Sequence, residues 1–163
     1  MSQPAPAVDL ATSLGYLLKE TSNALRLAME AVLRPLGMTI THYSCLELLA
    51  QRPGLSSSEL ARGTFVTRQS MNVLLQALER DGVVTRPDAP EVGRVLPAEL
   101  TMKGREQLAA ASAAVRAVED RMKRLLDADE QAHLRDLLSR CAQSLRDGQD
   151  HAPVGSPSGS ERG

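Results

Sequence analysis

The chain has 163 residues, 42% of them hydrophobic but only 2% aromatic, with no Trp and a formal net charge of −1. That length suits one compact domain with a core of Leu, Val, Ala and Met, a composition that favours helices over sheet. No apolar run approaches the roughly 20 residues needed to span a bilayer, and overall charge does nothing to favour nucleic acid. Residues 56–105 are hardly more basic, with seven Lys/Arg against six Asp/Glu.

The opening "MSQPAPAVDL" lacks a basic region followed by an apolar core, so no signal peptide is expected, and a reducing cytoplasm is the expected compartment. Residues 1–8 and 148–163, rich in Pro, Ala, Ser and Gly, are expected to be disordered tails. Helical periodicity predicts a first helix over 9–34 with Asp9 near its start. Leu10, Leu14, Leu17, Leu18, Leu25, Ala28, Met29 and Val32 form its apolar stripe, and Pro35-Leu36-Gly37 ends it. A second helix is expected from Thr41 to Arg52, stopped by Pro53-Gly54. Its Leu46, Leu49 and Ala50 face one way and Leu48 nearly the opposite, so it is expected to be buried on both sides.

"SSSE" is a capping box in which Ser56 and Glu59 satisfy each other's amides, opening a short third helix over 57–63. The fourth runs from Thr67, a natural N-cap, to Asp81-Gly82, where glycine suits a left-handed exit. The period then changes. "VVTR", the turn-rich "PDAPEVG" and "RVLPAEL" predict a hairpin, with Pro97 confined to an edge. Thr101 caps a long Ala-rich fifth helix ending near Leu126. Asp127 with Glu130 opens a sixth that ends about Arg146. Leu134, Leu137, Leu138, Cys141 and Leu145 share one stripe of it.

Short helix, turn, helix and hairpin in that order make a winged helix-turn-helix, an architecture that reads DNA. At 100° per residue, Met71, Leu74, Leu75 and Leu78 cluster on one face of the fourth helix. Gln69, Asn72, Val73, Gln76 and Arg80 fall on the other, with Arg68 and Ser70 at the front end. Amide side chains pair two ways with adenine, Arg with guanine, and Val meets a thymine methyl. Ser56, Ser57 and Thr67 stand at helix N-termini, where hydroxyls and amides hold phosphates. A merely solvated face would instead favour Glu and Lys; here no acid intervenes before Glu79.

"GLSSSELARGTFVTRQSMNVLLQALERDGVVTR" followed by "GRVLPAELTMKGREQL" resembles the MarR family of bacterial transcriptional regulators. The resemblance covers about 53–108, through the "GLS…ELA" opening, the helix ending in "LERDGVVTR", a wing arginine and the "LTMKGR" helix start. It implies a mainly α winged helix-turn-helix with a two-stranded β wing and long N- and C-terminal dimerisation helices. Those helices would be 9–36 and 103–147, flanking a DNA-binding domain at 37–102. Long apolar stripes in 101–147 independently favour a homodimer. Double-stranded DNA is the implied partner, and repression the implied action. Arg94 becomes the wing-tip residue, although Val92 stands where the family commonly has a bracing Asp. At Phe65 many such motifs carry Gly; a Phe there is expected to pack inward. Arg86 is left open between phosphate contact and an ion pair with Asp81 or Asp88. Many members of the family release DNA on binding a small aromatic or phenolic molecule. Tyr16, Met38, His42 and Tyr43 are the candidates for such a pocket, and all four fit a plain core equally well.

Cofactor, metal and membrane partners are not expected. His42, Cys45, His133 and Cys141 lack His-x3-His or Cys-x2-Cys spacing, and both thiols are expected to be structural, with Cys141 in the core. No phosphate loop, nucleophile elbow or metal-hydrolase motif is present, so an enzyme is not expected. The alternative function is a protein-interaction module that keeps the winged shape without binding DNA.

Overall fold

The computed structural model describes residues 9–86 and 98–150, with side chains through 147. The expected tail at 1–8, the turn "PDAPEVG", Arg94, Pro97 and the stretch after residue 150 lie outside the described residues. The chain divides into two compact units, one ending at Met122 and one beginning at Lys123.

The first helix, α1, covers Leu14–Leu33 and starts later than its apolar period suggests. Ser13 is the actual cap, its hydroxyl accepting from the Tyr16 amide at 3.3 Å. Asp9 instead organises a preceding turn, where its carboxylate accepts from the Ala11 amide and the Thr12 hydroxyl, each at 3.1 Å. Both are good capping residues; the one beside the helix wins. A short 3-10 turn over Arg34–Leu36 follows, and Gly37 leaves it at φ 68.

α2 spans Ile40–Gln51, capped by Thr39, whose hydroxyl accepts from the His42 amide at 3.1 Å. Cys45, Leu46 and Leu49 are buried in the core. Leu48 is packed from the other side, since a Cβ added at Gly63 would come within 2.7 Å of its Cδ1. Ala50, expected to share the buried face, is exposed instead.

The core of the first unit is aliphatic, as the lack of aromatics requires. Leu33, Leu46, Leu60, Met71, Leu75 and Leu78 are fully buried around Cys45. Beside them lies a two-stranded antiparallel ribbon of β1 (Val84–Thr85) and β2 (Glu99–Leu100), with Val84 opposite Leu100 and Thr85 opposite Glu99. Two strands alone are marginal, and buried Val84 and Leu100 anchor them in the helical core.

α5 follows at once, Met102–Lys123, shorter than the expected end near Leu126. Thr101 caps it by accepting from the Gly104 amide at 3.1 Å while donating its own proton to the Gly82 carbonyl at 2.7 Å. Leu108, Ala111, Val115 and Val118 are the buried stripe of this helix. No helix among the described residues is long and apolar enough to cross a membrane.

In the second unit α6 covers Ala128–Asp150, opened by the expected box: the Asp127 amide donates to Glu130 and the Glu130 amide to Asp127, each at 2.9 Å. It continues past Arg146, where the sequence pattern placed its end. Leu134, Leu137, Leu138 and Leu145 are all exposed, and so is Cys141. The expectation that Cys141 is core therefore fails within one chain, because its stripe has no partner there.

Candidate nucleic-acid interface

The site is built by two short capped helices set against each other. α3, Ser57–Gly63, opens on the expected capping box. The Ser56 amide donates to Glu59 Oε2 at 2.8 Å, and the Glu59 amide donates to the Ser56 hydroxyl at 3.3 Å. Hydrogen bonds from the Ser56 amide and hydroxyl hold the Glu59 carboxyl below its usual range. Ser56 and Ser57 are both partly buried. Leu60 and Ala61 go into the core and tie α3 down.

α4, Arg68–Arg80, begins at the Thr67 cap, whose hydroxyl accepts from the Ser70 amide at 3.1 Å. Met71, Leu75 and Leu78 are buried and Leu74 is half-buried against the same core. Fixing that face turns the opposite one outward. Thr67, Arg68, Gln69, Ser70, Asn72, Val73 and Gln76 are all exposed, Val73 to 62%. A valine that open on a helix is a group available to meet a methyl. No acid stands in the first turn of α4, so nothing there repels an anion from its amides.

Phe65 corrects the sequence reading. It does not pack inward: its ring is 94% exposed and its backbone is left-handed at φ 58. Sequence reasoning missed it as a surface residue, because the conformation that expels it is set by the turn and not by residue type. Arg86 also finds a different partner, Glu79, with Nε to Oε1 at 3.1 Å. Arg94 lies outside the described residues.

None of the four proposed pocket residues lines either of two open grooves on the described residues. Met38 is buried and Tyr43 packs against the core, whereas Tyr16 is exposed on the first half of α1. His42 is half-buried, with Nε2 shielded from solvent and no hydrogen-bond partner among the described residues. Burial lowers its pKa, opposed by attraction from Asp81. Two open grooves lie elsewhere. One of about 360 Å³ is lined by Glu47, Leu100, Arg105, Leu108, Ser112 and Arg116 among others, and one of about 200 Å³ by α1 and α5 residues including Leu25 and Arg121. Cys45 is sealed in the core, its thiol pushed up to about 12 by burial. Among the described residues no group of three His, Cys, Asp or Glu side chains could hold a metal ion.

A capped helix pair with an open polar second helix, followed by an antiparallel ribbon that rests on the same core, defines a winged helix-turn-helix protein. The family model that matches residues 36–95 is that of the MarR family. The chain belongs to the MarR family. It is 45% identical over 127 residues to the HTH-type transcriptional repressor Rv2887 of Mycobacterium tuberculosis, covering 78% of this chain and 91% of the relative. The crystal structure of Rv2887 in complex with DNA aligns at a TM-score of 0.67 with 42% identity, covering 80% of this chain and 98% of that one. Its complex with salicylic acid aligns at 0.66 with 44% identity, covering 80% and 96%.

Proposed function

We propose that this protein is a sequence-specific DNA-binding transcriptional repressor, acting in the cytoplasm as a homodimer on a pseudo-palindromic operator. The observation that carries the reading is the α4 face: Arg68, Gln69, Asn72, Val73 and Gln76 stand clear of the protein while the opposite face is locked in the core. Gln69, Asn72 and Arg68 specify bases. Ser56, Ser57, Thr67, Ser70 and the wing residue Arg94 position the protein on phosphate. In a two-fold dimer the two α4 helices enter successive major grooves about 34 Å apart. The DNA complex of a 42% identical relative supports this reading.

A small aromatic acid or phenol is the proposed effector, supported by the salicylic acid complex of the same relative. Its site would draw on Tyr16, Met38, His42 and Tyr43, and a ligand that displaced the cover over the unpartnered Nε2 of His42 would give that atom a hydrogen bond. Such a ligand releases DNA only by favouring a dimer whose reading heads are wrongly spaced.

The test is a gel shift against the DNA upstream of the protein's own gene, over a range of salt. A repressor retards that duplex in preference to a scrambled one, and log affinity falls linearly with log salt. A chain that retards no duplex even at low salt is instead an interaction module of the same shape.

A further inference from the structure

Phe65 combines two unfavourable features that the folded chain does not use. The turn after α3 closes through the Val66 amide, which reaches back to the Ala61 carbonyl at 3.0 Å, and the Phe65 amide, which reaches Arg62 at 3.3 Å. A helix ending of this type sets its left-handed position at residue 65, where glycine is preferred and a bulky side chain is strained. Among the described residues Phe65 is the sole non-glycine with positive φ. Its ring, thrown outward, is 94% exposed. Strain held by a residue that gains nothing inside the protein points to a contact outside it.

The surroundings say what that contact is. Phe65 stands two residues, at most about 7 Å along the chain, before the Thr67 cap of a helix whose first amides suit phosphate. Residues 60–78 contain Arg62 and Arg68 and no carboxylate, and both arginines are exposed. An aromatic ring between Arg62 and Arg68 in the chain, with no carboxylate from residue 60 to 78, at the entrance of a recognition helix fits the apolar part of a polyanion. We propose that Phe65 is a DNA-contacting residue, its ring packed on the deoxyribose of the strand bordering the groove that α4 enters. This rests on the DNA-binding reading above and adds to it a sequence-independent apolar anchor.

The experiment uses the full-length protein, Phe65→Gly and Phe65→Leu, titrated with the upstream duplex over a range of salt. Glycine relaxes the left-handed position, so the variant melts no lower than the parent. Its DNA affinity nevertheless falls about tenfold, the scale of losing half an aromatic side chain's burial, and Phe65→Leu restores part of it. The salt slope stays unchanged because no cation is removed. Replacing thymine by uracil leaves the parent-to-variant ratio as it was. Equal affinity of Phe65→Gly and the parent, or an altered slope, overturns the proposal. A ratio that collapses to one on uracil-containing DNA overturns the sugar contact in favour of a thymine methyl. Failure of the parent itself to bind any duplex is a separate result, since it removes the DNA-binding reading.

Discussion

Gln69 stands two residues past the cap of α4 and is exposed. A primary amide offers a donor and an acceptor side by side, which is the pattern on the major-groove edge of adenine. Gln69→Ala is therefore expected to leave phosphate contacts alone and to flatten base preference at one operator position, by about 1–3 kcal/mol. Binding to a set of single-base operator variants checks this; preserved affinity ratios would remove Gln69 from base readout. Cys45 makes the opposite case of a residue that looks reactive and is not. With no exposure, a thiol held near 12 and Met71 Sδ at 3.8 Å, it has neither the thiolate nor the access that oxidation requires. In a Cys141→Ser background, thiol reagent should label no group in the native protein and one after unfolding. Loss of DNA binding on mild peroxide treatment of that variant would contradict it.

Among the elements, α5 starts hard against the residue that precedes β1. A Cβ on Gly104 would lie 2.2 Å from the Val83 carbonyl oxygen, which is backbone and cannot rotate away. Gly104→Ala gains about 1 kcal/mol of helix propensity but overpacks this contact by about 1–3 kcal/mol. The expected net result is a lower melting temperature, by several degrees, together with weaker DNA binding from a displaced wing. Melting curves decide; a variant as stable as the parent would mean that α5 slides freely over β1. The starts of α3, α4, α5 and α6 are legible in the sequence because each cap is a contact between residues three apart. The start of α1 is less so, since Asp9 and Ser13 both suit a cap and only the turn between them selects one. Longer-range outcomes are hidden altogether. Glu79 becomes the partner of Arg86 only because the exit at Gly82 folds β1 back along α4, and Phe65 is expelled by a backbone conformation that no periodicity records. The outward face of α4, by contrast, follows from helical spacing alone.

For the whole molecule, the informative feature is apolar surface that one chain leaves uncovered. Leu14, Leu17 and Leu18 on α1, and Leu134, Leu137, Leu138 and Leu145 on α6, are all exposed. Apolar stripes of this length mark a partner surface, and the proposed two-fold dimer would use each of them on both copies. Leu138→Lys is expected to raise the dimer dissociation constant by about two orders of magnitude or more, with helix content retained. Sedimentation at micromolar concentration checks it, and an unchanged dimer would place the interface elsewhere.

The bonds at the start of α5 join the two ends of this design. Thr101 holds the Gly82 carbonyl and Lys103 Nζ holds that of Asp81 at 2.7 Å, so the tail of α4 and the head of α5 are riveted together. α5 is then a lever arm about 33 Å long. Pivoting it by roughly 6° about its far end would carry the end fixed to α4 through about 3.4 Å, the rise of one base pair. In the proposed dimer, a modest change of pitch at the paired surface would thus become a one-step mismatch between the two α4 helices and the duplex.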